Sequence, residues 1–283
     1  MQYNKEVKDS FAGRSYQLLD HNFLVNAHAH IFPQKIADKA AHAIGAFYGA
    51  EMAFPGLSEL LLADGAKIGV DRYLVCSSAT TGDQVAHIND FIASECAKHP
   101  EFYGFGTLHP DFPEPEAELE RVVSLGLHGI KLHPDFQRFQ IDDPRMIPLY
   151  RKMAELRLPV LFHTGDRRYH YSNPILLRHV CDKVDGFRCI AAHFGGYSEW
   201  ENVPEALAGV PGVYYDTSST LFELPVEKAL EMIGLLGVEN FFFGTDFPMW
   251  DHEGELARFR ALHLSPADEK AILGENFQRV FGI

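Results

Sequence analysis

Short, almost unbroken apolar runs alternate along the chain with longer segments whose apolar residues recur at helical spacing. The runs cover 23–30, 72–77, 102–108, 128–133, 159–163, 187–193, 212–216 and 240–246. Between them, helical spacing covers 33–48, 56–67, 82–98, 113–125, 143–156, 173–184, 198–208, 226–236 and 254–262. A final helix opens at Ser265-Pro266-Ala267-Asp268, a capping box with proline at the first helical position, and reaches about Phe281. Runs without apolar–polar alternation are buried on both faces, which marks a parallel sheet. The strand–helix unit repeated eight times predicts an α/β fold, a (β/α)8 TIM barrel with a C-terminal helix. An open doubly wound sheet is the second choice. No Gly/Ser-rich linker or composition break divides 1–283, so one domain is expected, with 1–21 as an irregular N-terminal arm.

Composition narrows the functional classes. With 46% hydrophobic and 23% charged residues the chain has material for a sizeable core. A formal charge of −14 and the absence of any basic run argue against nucleic-acid and anionic-membrane surfaces. No apolar stretch has the length of a membrane span, and the N-terminus lacks an apolar secretory core. Cys76, Cys96, Cys181 and Cys189 form no CxxC pair and read as reduced thiols. A cytoplasmic enzyme acting on a small molecule is expected, and a homodimer stays open.

The chemistry gathers at the carboxyl ends of the apolar runs, where a barrel of this kind carries its active site. The first run ends in His28-Ala29-His30, two imidazoles on one face of a strand and about 6.7 Å apart along it. Other runs end in His109, Lys131 and His133, His163, His193, Asp216 and Asp246. One histidine or aspartate at a strand end is ordinarily a turn former or a buried hydrogen-bonding group. So many imidazoles and carboxylates on one rim instead suit a divalent metal with an open coordination position.

The motifs NAHAH at 26–30, GIKLHP at 129–134, VLFHTG at 160–165, AAHFGG at 191–196, FFFGTDFP at 241–248 and KAILGENFQRVFG at 270–282 span nearly the whole chain. In that order they resemble the amidohydrolase superfamily, and within it the branch that includes aminocarboxymuconate semialdehyde decarboxylase. The resemblance implies that His28, His30, His163 and Asp246 bind one divalent metal, by preference zinc, with manganese or a binuclear site as the alternatives. It also implies that His193 and Asp246 do the proton chemistry. Lys131 stands where two-metal members carry a bridging carboxylated lysine; a cation facing the substrate is the favoured reading here. His133 is expected in the pocket or just behind it. Asn26 departs from the aspartate that usually opens the first motif.

After the strand ends, Arg167 and Arg168 could clamp a substrate carboxylate, and Phe247, Met249 and Trp250 could wall an apolar pocket. The leading expectation is a metal-dependent hydrolase of an amide, ester or lactone bond. The second is a metal-dependent decarboxylase of an unsaturated or aromatic acid. A barrel that has lost catalysis and only binds is a third, against which the intact ligand set speaks.

Overall fold

The computed structural model describes residues 23–283; the expected arm at 1–21 lies outside the described residues. The strands in chain order are β1 Val25–His30, β2 Arg72–Cys76, β3 Phe102–Gly104, β4 Gly106–Thr107, β5 Ile130–Leu132, β6 Val160–Phe162, β7 Cys189–Ala191, β8 Val213–Asp216 and β9 Phe241–Phe242. All neighbours pair in parallel, in the orders β1-β2-β3 and β4 through β9. Strands β3 and β4 form one stave interrupted at Phe105, whose N–H still reaches the Val75 carbonyl at 2.9 Å. The ring closes between its last and first staves, where Ala27 N–H donates to the Phe243 carbonyl and Asp246 N–H to that of His28. The fold is therefore a TIM barrel of eight staves, as the repeat predicts.

The observed strands are shorter than the apolar runs because their carboxyl-terminal residues leave the ladder. His133 and His163 are the first residues past their strands, His193 the second and Asp246 the fourth. There a side chain is held by the sheet yet free to face the barrel's mouth.

Helices α1 Ala37–Tyr48, α2 Ser58–Gly65, α3 Val85–Lys98, α4 Pro115–Ser124, α5 Pro134–Gln137, α6 Ile147–Glu155 and α7 Pro174–Cys181 come first. Helices α8 Val203–Leu207, α9 Val226–Leu236, α10 His252–Arg260, α11 Pro266–Lys270 and α12 Asn276–Phe281 complete the set. The short α5 has no counterpart in the sequence expectation. The N-cap at Ser265 forms, with its hydroxyl accepting from the Asp268 N–H, while Asp268 Oδ2 accepts from that hydroxyl and not from the Ser265 N–H that a full box would use.

Two apolar layers result. The inner one holds Val25, Leu74, Phe105, Leu161, Ile190 and Phe242, with Phe277 of α12 packed against them. The outer one fills the space between staves and helices. Lys131 pairs in register with Leu161, which pairs with Ile190, so its side chain belongs to the inner layer, where it is 1% exposed. A lysine so enclosed needs a partner or a task. Among the described residues no helix is long and apolar enough to cross a membrane.

Candidate metal centre

The first and last staves meet edge to edge, which brings the first histidine pair to Asp246. His28 Nε2 and His30 Nε2 are 3.2 Å apart. Asp246 Oδ1 stands 3.6 Å from the former and 3.3 Å from the latter. An ion about 2.0–2.1 Å from each of three tetrahedral donors separates them by about 3.3 Å. The three donors thus fit a divalent cation.

Two of the three donors are already in the ligating form. His30 is not: burial works to lower its imidazole, but Cys76 and Asp246 outweigh burial and raise it to about 9, so an ion there has to displace a proton. Burial pulls the imidazoles of His28, His163 and His193 below the ordinary histidine range, leaving them neutral. Burial works to raise the Asp246 carboxyl, but His28, His30 and His193 outweigh it and hold the group well below the usual carboxylate range. Neutral imidazole and ionised carboxylate are the forms that ligate metal.

Hydrogen-bond partners fix the rings. Asp216 Oδ2 lies 2.9 Å from His28 Nδ1 and accepts its proton, so the bare Nε2 faces the cluster. The other oxygen of Asp216 accepts the backbone N–H of His193 at 3.1 Å, tying two rim histidines to one carboxylate. His193 Nδ1 faces the Ser218 carbonyl at 3.1 Å, which makes it a donor and Nε2 an acceptor. That acceptor lies 3.1 Å from His163 Nδ1, so His163 in turn keeps a bare Nε2. His163 therefore sits one ring beyond the three-donor cluster, reached through His193 and stacked on His133 with centroids 4.1 Å apart.

Asp246 and His193 both have left-handed backbone, with φ of +55° and +61°. Such conformations cost a non-glycine residue of order 1–3 kcal/mol and recur where a side chain must be aimed. Lys131 Nζ reaches His28 Nε2 at 3.1 Å, and burial lowers its pKa.

Two residues the sequence reading left without a role belong to the arrangement. Asp216 is one, visible in sequence only as another strand-end aspartate. Tyr48 is the other: it ends α1, and its hydroxyl lies 2.8 Å from His133 Nε2 and 3.5 Å from His163 Nε2. Nothing in the local sequence around Tyr48 signals this, because the contact spans 85 residues.

Two expected pocket residues point elsewhere. Arg168 grips Asp166 with two nitrogens, at 2.9 and 2.6 Å, and donates to the Phe47 carbonyl at 2.6 Å. Its guanidinium also lies over the Phe47 ring, 4.5 Å from the centroid. It braces α1 against the loop after β6, its guanidinium turned to Asp166 and Phe47. Arg167 is engaged with Ser198 and Glu201. Trp250 donates to Ser219 Oγ at 3.0 Å and packs against Phe222, and neither Arg168 nor Trp250 lines the cavity at the centre. That cavity has a volume of about 880 Å³ and includes His30, Lys131, His133, His163, His193 and Asp246 in its lining.

Comparison with known proteins places this geometry in context. A family model described as amidohydrolase matches residues 25–283. The gamma-resorcylate decarboxylase of Rhodococcus jostii (strain RHA1) is 24% identical over a 253-residue alignment covering 70% of this chain and 76% of the relative. The crystal structure of 5-carboxyvanillate decarboxylase from Sphingomonas paucimobilis superimposes with a TM-score of 0.71 at 18% identity, covering 93% of this chain and 99% of the other. A dihydroxybenzoic acid decarboxylase from Polaromonas sp. JS666, solved with manganese and 2-nitroresorcinol, gives a TM-score of 0.71 at 17% identity, with 92% and 97% covered. These relatives overturn the leading expectation of a hydrolase: they are decarboxylases, which fits the second expectation better.

Proposed function

The chain belongs to the amidohydrolase family, and on that premise we propose that it is a metal-dependent decarboxylase of a hydroxylated aromatic carboxylic acid, the whole chain acting as one barrel domain. The likeness to decarboxylases supports the choice of reaction, and the convergence of His28, His30 and Asp246 to within 3.2–3.6 Å of one another, with Lys131 3.1 Å from His28, carries the metal dependence. In this reading those three residues would hold one divalent ion, zinc or manganese; His163, one ring beyond them, would have to turn past His193 to join as a fourth ligand. When bound there, such an ion would supply positive charge to stabilise negative charge developing on the acid's oxygens.

The chain's own groups supply the rest. Lys131, enclosed in the barrel, is the cation that faces the substrate's anionic oxygens. His133 and Tyr48 border the ring. Asp246, ionised, accepts the phenolic proton. His193, neutral and with one ring nitrogen fixed as an acceptor, carries that proton to the ring carbon bearing the carboxylate. The carbon–carbon bond then breaks, its electron pair restores the aromatic ring, and CO2 leaves. A solvent proton neutralises the phenolate product.

The test is to incubate metal-loaded protein with 2,6-dihydroxybenzoate and 5-carboxyvanillate and to measure CO2 and the phenol formed. One CO2 for each phenol is expected. Loss of substrate without CO2 would sink the reading. Metal content near one ion per chain is expected alongside; two ions per chain would instead make Lys131 a bridging carbamate.

A further inference from the structure

Helix α1 buries the wrong residues for an ordinary barrel helix. Its buried positions are Ala37, Ala41 and Gly45, a stripe of small residues. Its larger apolar side chains, Ile44, Phe47 and Tyr48, with Ile36 at the N-cap, line the cavity at the metal centre instead. Ile36 is 49% exposed, a high value for a residue of its kind in a helix flanking a core. The stripe starts at the centre, where Tyr48 touches His133, and runs back along the helix to Ile36. Twelve residues at 1.5 Å each carry it about 18 Å away. Ile88 and Phe91 of α3 line the same cavity. So does Ser78, whose hydroxyl is buried and has no hydrogen-bond partner among the described residues.

A cavity of roughly 150 Å³ is enough to take up one benzene ring. The cavity here is about 880 Å³ and continuous from Asp246 to Ile36. A single-ring hydroxybenzoate at the metal would leave the apolar remainder filled with water, against side chains that gain by excluding it.

We infer that the cavity holds two subsites, a polar one at the metal centre and an apolar one between α1 and α3, and that the substrate is an aromatic acid carrying a large apolar extension, such as a second ring or an alkyl chain. The inference rests on the decarboxylase reading only for the reacting head; the apolar subsite stands on the cavity. Ile44, Ile88 and Phe91 set the preference for the extension, and Ala40 and Ala43 leave the room for it.

Binding to the metal-loaded chain tests this without turnover. Phenol, 3-phenylphenol and 4-phenylphenol are titrated by calorimetry. At least one phenylphenol is expected to bind roughly 30-fold more tightly than phenol, the order expected for burying one further aromatic ring. Ala43→Trp, which fills the chamber, should cut that ratio by tens of fold. Ile44→Gln, which keeps the space but makes its wall polar, should cut it several-fold and guards against a misfolded tryptophan variant. Equal affinities for phenol and both phenylphenols, or a preference that survives both substitutions, would overturn the subsite. CO2 release from small hydroxybenzoates together with equal affinities would leave the decarboxylase reading intact and remove this one. A clear phenylphenol preference with no CO2 from any acid would do the reverse.

Discussion

Asn26 Nδ2 faces His252 Nε2 at 3.0 Å, a contact that needs a hydrogen-bond donor on residue 26. The orientation of Asn26 is fixed because its Oδ1 accepts the backbone N–H groups of His28 and Thr245, both at 3.1 Å. On the other side, His252 Nδ1 lies 2.7 Å from Asp64 Oδ2. Burial works to raise the Asp64 carboxyl, but its bonds to His252 and Lys67 hold it well below the usual range, so it accepts and His252 Nδ1 donates. His252 Nε2 is then bare and needs a donor. The aspartate usual in this motif would offer a second acceptor instead. Asn26 and the His252–Asp64 pair therefore form one consistent set that fixes the backbone beneath His28.

Replacing Asn26 by Asp should destabilise the protein by on the order of 1–3 kcal/mol, the cost of opposing two buried acceptors. Asn26→Asp together with His252→Gln, whose amide supplies the missing donor, should recover part of the loss. Denaturant unfolding of the single and double variants checks this. Equal stability of Asn26→Asp and wild type would remove the set.

Metal content separates holding the ion from holding the fold. His28→Ala and Asp246→Ala should each lose the bound ion and lower activity by at least about 10³-fold, while circular dichroism stays that of a folded barrel. Ser219→Ala removes only a hydroxyl that bonds Asp246 Oδ2 at 2.6 Å and should keep the metal. Full metal occupancy in either ligand variant, by elemental analysis, would break the assignment of the three-donor cluster.

Much of this was readable along the chain, and for a definite reason. Strand-end residues are adjacent in sequence to the apolar runs that position them, so His28, His30, Lys131, His163, His193 and Asp246 could be gathered, together with His109, His133 and Asp216, with the barrel as the only assumption; the family resemblance then gave them their roles. Tyr48 could not, because its place over His133 depends on how α1 folds back across the mouth. Arg168 misled for a related reason. Its charge is evident in sequence, but the carboxylate that claims it, Asp166, is two residues away and buried, and the Phe47 carbonyl comes from a distant helix. The hydrolase expectation failed for a chemical reason: one ligand set serves both hydrolysis and decarboxylation, and fold and ligands do not choose between them.

Glu255 gives the folded protein a pH dependence of its own. It is 1% exposed on α10, and burial pushes its carboxyl up to about 7 although Arg258 pulls it down. A carboxyl whose folded pKa lies above its unfolded value of about 4.3 stabilises fully below that value and loses the contribution as pH rises through 7. Glu255→Gln removes the titration and keeps an acceptor for Arg258. Its stability relative to wild type should rise between pH 5 and pH 8 by on the order of 2–3 kcal/mol. A difference that stays flat across that range, in denaturant unfolding at each pH, would show that Glu255 does not titrate there.

Arg168 links α1 to the barrel, and the strength of that link can be measured apart from catalysis. Three contacts converge on its guanidinium: the paired bonds to Asp166, the bond to the Phe47 carbonyl, and the stack over Phe47. The side chain is 40% exposed, so its ion pair is partly screened and the loss from Arg168→Ala should stay on the order of 1–2 kcal/mol. The larger effect is local. Without the brace, Tyr48 loses its fixed position over His133, and amide exchange across 37–48 should quicken at least about tenfold while the staves keep their protection. Arg168→Lys should rescue little, since one ammonium cannot reproduce a two-nitrogen grip and a stack together. In binding, the loss of the brace should weaken phenol and hydroxybenzoate alike, because the wall of the cavity is loosened. A loss confined to hydroxybenzoate, with exchange at 37–48 unchanged, would instead mean that Arg168 swings inward to clamp a carboxylate.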